Sequence, residues 1–367
     1  GCILQLYRDV AAGKPGTFSK VGLGTYIDPR VEGGRMNDVT VEDLVSVSNI
    51  DGQDWLFFRG FPINVVFLRG TTADTNGNIS IEREALVLED LALAMAARNS
   101  GGYVICQVER IADAGTLPSR SIRIPGMLVD CIVVAEPAQH MQNYGTAYNP
   151  AYSGEIRVPA ESVNPMPLDE RKIIARRCAT ELRANSVINL GIGMPEGVGA
   201  VCNEERVYRY VTLTADAGIV GGVPMNGLDF GATTNAEALM DHATAFDFID
   251  GGGLDIAFLG MAQADKHGNV NSSKFGGRIT GCGGFINISQ NSRKVVFVGT
   301  FRAGGLNVSV ENGELSIQQE GRTKKFVNSV EQITFSGDVA VANSQPVIFV
   351  TERCVFGLTP SGIELQE

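Results

Sequence analysis

The residue types that chemistry needs are concentrated in one carboxylate and three glycine-bearing loops. The carboxylate is Asp216, in the run Val211-Thr212-Leu213-Thr214-Ala215-Asp216-Ala217-Gly218-Ile219-Val220-Gly221-Gly222-Val223-Pro224. The run leading into it is rich in β-branched residues, which puts Asp216 at the carboxyl end of a predicted parallel strand, where ligands bind in open α/β sheets. An earlier strand-like run, Val187-Ile188-Asn189-Leu190, opens into Gly191-Ile192-Gly193-Met194-Pro195-Glu196-Gly197, with a helix predicted from Val198. Strand, glycine turn and helix start place backbone N–H groups where they can hold a phosphate. The same spacing suits a plain βα turn, and the residues alone leave both readings open. Asp216 also follows Gly191 at the distance expected of an acidic residue that binds an adenosine ribose in a dinucleotide fold. The third loop, Lys274-Phe275-Gly276-Gly277-Arg278 through Gly281-Cys282-Gly283-Gly284-Phe285, is more than a simple dinucleotide site needs.

Other reactive side chains have plainer readings. His267 sits in a polar turn and reads as exposed. Cys282 has no histidine near it in sequence and reads as a small packing residue. Arg278 and Lys274 are surface charges or phosphate partners. Asp250, Asp255 and Asp265 read as turn and cap residues.

The elements that position these loops repeat along the chain. Phe67-Leu68, Ala73-Asp74 and Gly77-Asn78-Ile79 return as Phe258-Leu259, Ala264-Asp265 and Gly268-Asn269-Val270 at a constant offset of 191 residues. Each copy is a buried strand followed by a tight reversal. Tyr103 to Val108 and Lys294 to Gly299 extend the match as further buried strands. Between turn and strand the copies diverge: Ile81 to Arg98 predicts a helix, whereas Ser272 to Ser289 holds five glycines. The same offset sets Thr25 opposite Asp216, so only one half carries the carboxylate. Tyr144 to Pro167, with three tyrosines and four prolines, reads as a linker. The divisions are therefore 1–150, a linker over 151–166, and 167–367, where Leu168-Asp169-Glu170 opens a helix through about Leu182.

With 367 residues, 44% of them hydrophobic, two domains with sizeable cores are expected. A net charge of −11 argues against nucleic acid as a partner. The seven cysteines form no C-x-x-C, and no leader or membrane-length apolar run is evident, so free thiols in a cytoplasmic protein are expected. Three histidines without ligand spacing predict no metal. The 44 glycines, about 12% against a usual ~7%, mark tight turns or backbone that approaches a ligand.

Taken together, Val211 to Asn226, Asp250-Gly251-Gly252-Gly253-Leu254-Asp255, Ala264 to Gly284 and Phe326 to Gly337 resemble the family I coenzyme A transferases of the single-chain acetate, propionate and acetoacetate type. Leu6-Tyr7-Arg8-Asp9 and Val21-Gly22-Leu23-Gly24-Thr25 carry the resemblance into the first half. It implies an α/β protein of two similar open domains with mainly parallel sheets and an active site between them. It implies transfer of coenzyme A between short-chain acyl-CoA and carboxylic acids, through a mixed anhydride and an enzyme–CoA thioester. No cofactor beyond the coenzyme A substrate is implied, and a homo-oligomer is. By this resemblance Asp216 stands where the family has its nucleophilic glutamate. Gly191, Gly193, Met194, Pro195, Gly221, Gly222, Gly283, Gly284 and Phe285 then shape the CoA and oxyanion sites. The resemblance also implies that an N-terminal segment and a short C-terminal tail are missing. Aspartate in place of glutamate leaves an acyl-CoA hydrolase with Asp216 as general base, or a weakened transferase, as alternatives to full transfer, and an NAD-dependent oxidoreductase and a silent CoA-binding protein stand beside them.

Overall fold

The computed structural model describes residues 1–159, 165–225 and 227–367, so residues 160–164 of the expected linker lie outside the described residues. Grouped by backbone proximity, the chain forms two compact units, each of three stretches. The first unit comprises Gly1–Ser19, Phe57–Ala160 and Ala215–Asp247, and the second Lys20–Leu56, Glu161–Thr214 and Phe248–Glu367.

In the first unit three parallel strands lie in the order Cys131–Val134, Tyr103–Val108, Val65–Arg69. Helices α1 (Cys2–Ala11) and α2 (Asp90–Asn99) belong to the same unit. The buried sheet face, with Val66, Val104, Cys106 and Val108, packs against Ala94 and Ala97 of α2. Four alanines of α2 are buried, and side chains that small let the helix lie close to the strands. The sequence predicts a helix from Ile81, but α2 starts only at Asp90. The reason is tertiary. The Glu82 carboxylate accepts the hydroxyls of Thr72 and Ser80 at 2.6 Å each. The Arg83 N–H donates to Thr71 Oγ1 at 3.0 Å. Residues 81–84 are thereby bound to the neighbouring strands instead of an i→i−4 ladder. The linker-like stretch is also engaged within this unit: the Tyr152 hydroxyl donates to Asp229 at 3.1 Å, and Arg83 lies over the Tyr148 ring.

In the second unit five parallel strands run in the order Thr212–Ala215, Val187–Leu190, Ile256–Gly260, Val295–Val298, Val347–Val350. An antiparallel pair, Val355–Thr359 and Gly362–Leu365, extends the far edge. Uninterrupted runs such as Val295 to Val298 and Val347 to Val350 are wholly buried, as a parallel sheet covered on both faces requires. Helices α3 (Glu170–Ala179) and α4 (Glu196–Glu204) cover one face, where Ile174, Cys178, Val198 and Cys202 join Ile256, Phe258, Val296 and Val350 in one core. Asp169 caps α3 by accepting the Lys172 N–H at 3.0 Å, and Arg176 and Arg177 occupy its last turn, where the helix dipole favours them. Helix α5 (His242–Asp250) precedes the Ile256–Gly260 strand, and α6 (Phe285–Asn291) precedes Val295–Val298.

The 191-residue repeat is visible in three dimensions. Phe67 pairs with Ile105 in the first unit, and Phe258 with Val296 in the second, in the same register. Asp74 Oδ1 accepts the N–H groups of Asn76 and Asn78, each at 2.9 Å. Asp265 Oδ1 accepts those of His267 and Asn269, at 3.0 and 3.1 Å. Gly77 and Gly268 supply the left-handed residue of each turn, at φ +86° and +77°. Two expectations change. The copies diverge less than a helix opposite a glycine loop, because α6 follows its loop much as α2 follows residues 81–89. Thr25 also does not correspond to Asp216: the strand Gly16–Ser19 ends well before Thr25, whereas Thr212–Ala215 runs directly into Asp216. The buried Thr25 hydroxyl instead closes a turn by donating to the Gly22 carbonyl at 2.7 Å.

Candidate functional site

The Val187–Leu190 strand has its next strand, Thr212–Ala215, on one side and the later Ile256–Gly260 on the other, all parallel. The crevice beyond the carboxyl ends at such a reversal of order is where α/β sheets bind ligands. Gly191 to Pro195 emerge there. The Gly191 N–H donates to the Phe258 carbonyl at 2.8 Å, and a Cβ at Gly191 would lie 3.1 Å from that oxygen, so the loop hugs the adjacent strand. Gly193 turns the chain at φ +84° with open space about it. Met194 packs on the core, and the buried Pro195 caps α4. A Cβ at Gly197 would lie 3.1 Å from Ala175 of α3, so this glycine permits close helix packing. The N–H of Gly193 already donates to the Glu196 carboxylate at 2.8 Å. The chain's own anion therefore occupies one donor that the phosphate reading uses.

The third loop shows the same device. Lys274–Phe275 and Arg278–Ile279 form a hairpin turned by Gly276 and Gly277, at φ +54° and +78°. Both glycine N–H groups donate to Glu331 at 2.9 Å, and these bonds hold its carboxyl below the usual range. Gly281 and Gly283 have open space where a side chain would stand, Gly284 caps α6, and Phe285 stacks on Phe297 at 5.9 Å. Cys282 neighbours Tyr26, whose phenol is pushed up by burial and then by that thiol. Arg278 and His267 are exposed, and Lys274 is half-buried.

Asp216 belongs to the first unit, in the turn that leads to the strand Ile219–Val220. Gly218 closes this turn at a left-handed φ (+96°), and Gly221 (+70°) and Gly222 (+78°), also left-handed, form the next turn, between Ile219–Val220 and Val223–Pro224. A Cβ at Gly218 would strike the Met240 carbonyl; at Gly221 it would lie 2.7 Å from Glu237, and at Gly222 2.5 Å from the Thr234 carbonyl. Ile219 and Val220 pair with Leu239 and Ala238, and Val223 and Pro224 with Thr234 and Thr233. Asp216 is half-buried, and among the described residues no side chain or N–H bonds to its carboxylate. A carboxylate in a rigid turn with its oxygens free is equipped to act as a nucleophile or base.

The same hairpin continues into the wall of a cavity. The Met225 N–H donates to the Ala232 carbonyl at 2.9 Å, and Phe230, Gly231 and Ala232 line a cavity of about 270 Å³ at the carboxyl end of the Val65–Arg69 strand. The rest of the lining comes from residues 67–69, from residues between 81 and 93, and from residues 142–143. Arg69 pairs with Glu84 at 2.8 Å, Glu89 with His242 at 2.8 Å, and Asp90 with Arg123 at 2.9 Å. The sequence reading misses this cavity because it places residues 81–98 in one helix. The available signal was Leu86-Val87-Leu88, an apolar triplet that breaks helical periodicity just before Glu89-Asp90.

Among the described residues, no group of three or more His, Cys, Asp or Glu side chains is placed to hold a metal ion, and no helix is long and apolar enough to cross a membrane. Residues 1–135 match the family model described as coenzyme A transferase. The caffeate CoA-transferase of Acetobacterium woodii is 49% identical over 98% of this chain and 69% of its own length. The acetate CoA-transferase YdiF of Escherichia coli K12 is 41% identical over 100% of this chain and 69% of its own length. The crystal structure of the acyl-CoA transferase YdiF apoenzyme from Escherichia coli O157:H7 matches at a TM-score of 0.93 and 40% identity, covering 99% of this chain and 68% of that one. A structure of the same enzyme as a thioester complex with CoA matches equally well.

Proposed function

The chain belongs to the coenzyme A transferase family and is a CoA-transferase, with coenzyme A as its substrate, and from that premise we propose that Asp216 is its nucleophile. The supporting observation is the Asp216 carboxylate, without a hydrogen-bond partner among the described residues, in a turn closed by the left-handed Gly218. An Asp216 oxygen attacks the acyl-CoA carbonyl carbon, the C–S bond breaks, and CoA thiolate leaves an acyl–aspartyl anhydride. The thiolate then attacks the aspartyl carbonyl carbon, releasing the first acid as its carboxylate and forming an aspartyl–CoA thioester. The second acid reverses both steps and restores the carboxylate. N–H groups of Gly221 and Gly222 face the developing oxyanion in this reading. Gly191, Gly193, Met194, Pro195, Gly283, Gly284 and Phe285 hold the coenzyme. Residues 1–150 and 167–367 are the two related halves, and the enzyme works as a cytoplasmic homo-oligomer on acyl-CoA and carboxylic acids.

The named acids of the two relatives, acetate and caffeate, set the range of substrate sizes. Neither relative supports the hydrolase, oxidoreductase or silent-binder alternatives. The test is transfer of CoA from acetyl-CoA to a second carboxylic acid by the unaltered chain and by Asp216→Asn. The proposal expects a loss of at least about a thousandfold, the scale of losing a covalent nucleophile. Equal rates would remove Asp216 from the chemistry.

A further inference from the structure

Once Asp216 carries coenzyme A as a thioester, as the nucleophile reading on which this inference rests requires, its activated carbonyl carbon has a second nucleophile one residue away. A bond from that carbon to the backbone nitrogen of Ala217 closes a five-membered ring, whereas a glutamyl thioester at this position would need a six-membered one. Intramolecular attack gains from effective molarities that reach about 10⁵–10⁸ M in well-oriented cases. The leaving group favours it too. A thiolate, whose conjugate acid has a pKa of about 8.5, departs far more readily than hydroxide does from a free acid.

The local structure leaves the ring-closing groups unconstrained. Beyond Asp216 and Ala217 the turn is anchored, since the Gly218 N–H donates to the Ala215 carbonyl at 3.0 Å and the Gly218 carbonyl accepts from the Met240 N–H at 2.7 Å. The Asp216–Ala217 peptide is different. Among the described residues neither its C=O nor its N–H takes part in a hydrogen bond, so turning its plane toward the side chain breaks none. Asp216 and Ala217 are both half-buried, and a single methyl group gives the Ala217 nitrogen little cover.

We propose that, when no acceptor acid arrives, the aspartyl–CoA thioester closes on Ala217 and converts Asp216–Ala217 to a succinimide, a one-way self-inactivation driven by the acyl-CoA substrate. The Ala217 nitrogen bonds to the aspartyl carbonyl carbon, the C–S bond breaks, and the amide proton passes to the departing thiolate to give free coenzyme A. The first acid has already left as its carboxylate. The nucleophile is thereby consumed, and the chain is lighter by one water.

The test is a time course of the full chain with acetyl-CoA, read by mass spectrometry of the peptide bearing Asp216. One portion at each time is reduced with borohydride to trap the thioester, and another is digested at mildly acid pH to preserve the imide. The thioester is expected early, and the loss of one water at Asp216–Ala217 later, in step with the loss of transfer activity. Excess acetate is expected to slow that loss at least about tenfold, because it draws the thioester back to acetyl-CoA. Ala217→Pro, which has no N–H, is expected to lose water at least about tenfold more slowly. Asp216→Glu, with its longer ring, is expected to do the same and serves if the proline variant does not fold. A trapped thioester never followed by water loss, or water loss indifferent to acetate and to both variants, overturns this inference and leaves the nucleophile reading standing. Absence of any trapped thioester overturns both.

Discussion

Among the described residues, Asp216 has no side chain or N–H bonded to its carboxylate, unlike several sheltered carboxylates of this chain. Glu204 pairs with Lys172 at 2.7 Å, Asp28 with Arg30 at 2.8 Å, and Asp265 is taken up by its own turn. Aspartate is one methylene shorter than the glutamate that the family resemblance implies here, a displacement of ~1 Å that can cost ~100-fold in rate. Asp216→Glu is therefore expected to raise transfer by up to about that factor, and a fall in steady-state transfer would show that the turn is built for the shorter side chain. The glycines around it allow less freedom. Gly222→Ala would put a methyl 2.5 Å from the Thr234 carbonyl at a left-handed φ, so urea unfolding is expected to show a loss of about 1–3 kcal/mol. Near the cavity, the hydrogen bond from His242 holds the Glu89 carboxyl below its usual 4.5. A depressed carboxyl stabilises the fold above that value and loses its contribution as pH falls through the folded value. The urea midpoint is thus expected to drop below about pH 4.5, and Glu89→Gln to flatten that drop, as a denaturation series against pH would record.

The two copies of the strand–turn element show how far a sequence pattern determines its surroundings. Phe67 and Phe258 are the same residue at the same register, yet Phe67 is 78% exposed and Phe258 fully buried under α3 and α4. Phe258→Ala is expected to cost about 3–5 kcal/mol, and Phe67→Ala less than about 1 kcal/mol, in matched urea titrations. The continuous apolar strands, the Asx turns at Asp74 and Asp265 and the capped start of α3 were legible because the information is local. The start of α2 was not, since Thr71, Thr72 and Ser80 hold Glu82 and Arg83 from outside the segment. The cavity was illegible for a related reason: its walls come from residues 67–93, 142–143 and 230–232, which no single motif joins.

At the scale of the whole molecule, both units use parallel strands with a turn-forming aspartate at the reversal, and 40% identity at a TM-score of 0.93 ties the arrangement to an acyl-CoA transferase. Asp216 lies in one unit and the Gly191 to Pro195 loop in the other. The measurement that reaches the centre of this account is mass spectrometry of the peptide bearing Asp216 after the chain meets acetyl-CoA. Borohydride would reduce an aspartyl–CoA thioester at that residue to the alcohol, leaving homoserine in its place. The account predicts that mass change at Asp216 and none in Asp216→Asn. An unmodified Asp216 peptide, or modification at another carboxylate, would contradict it.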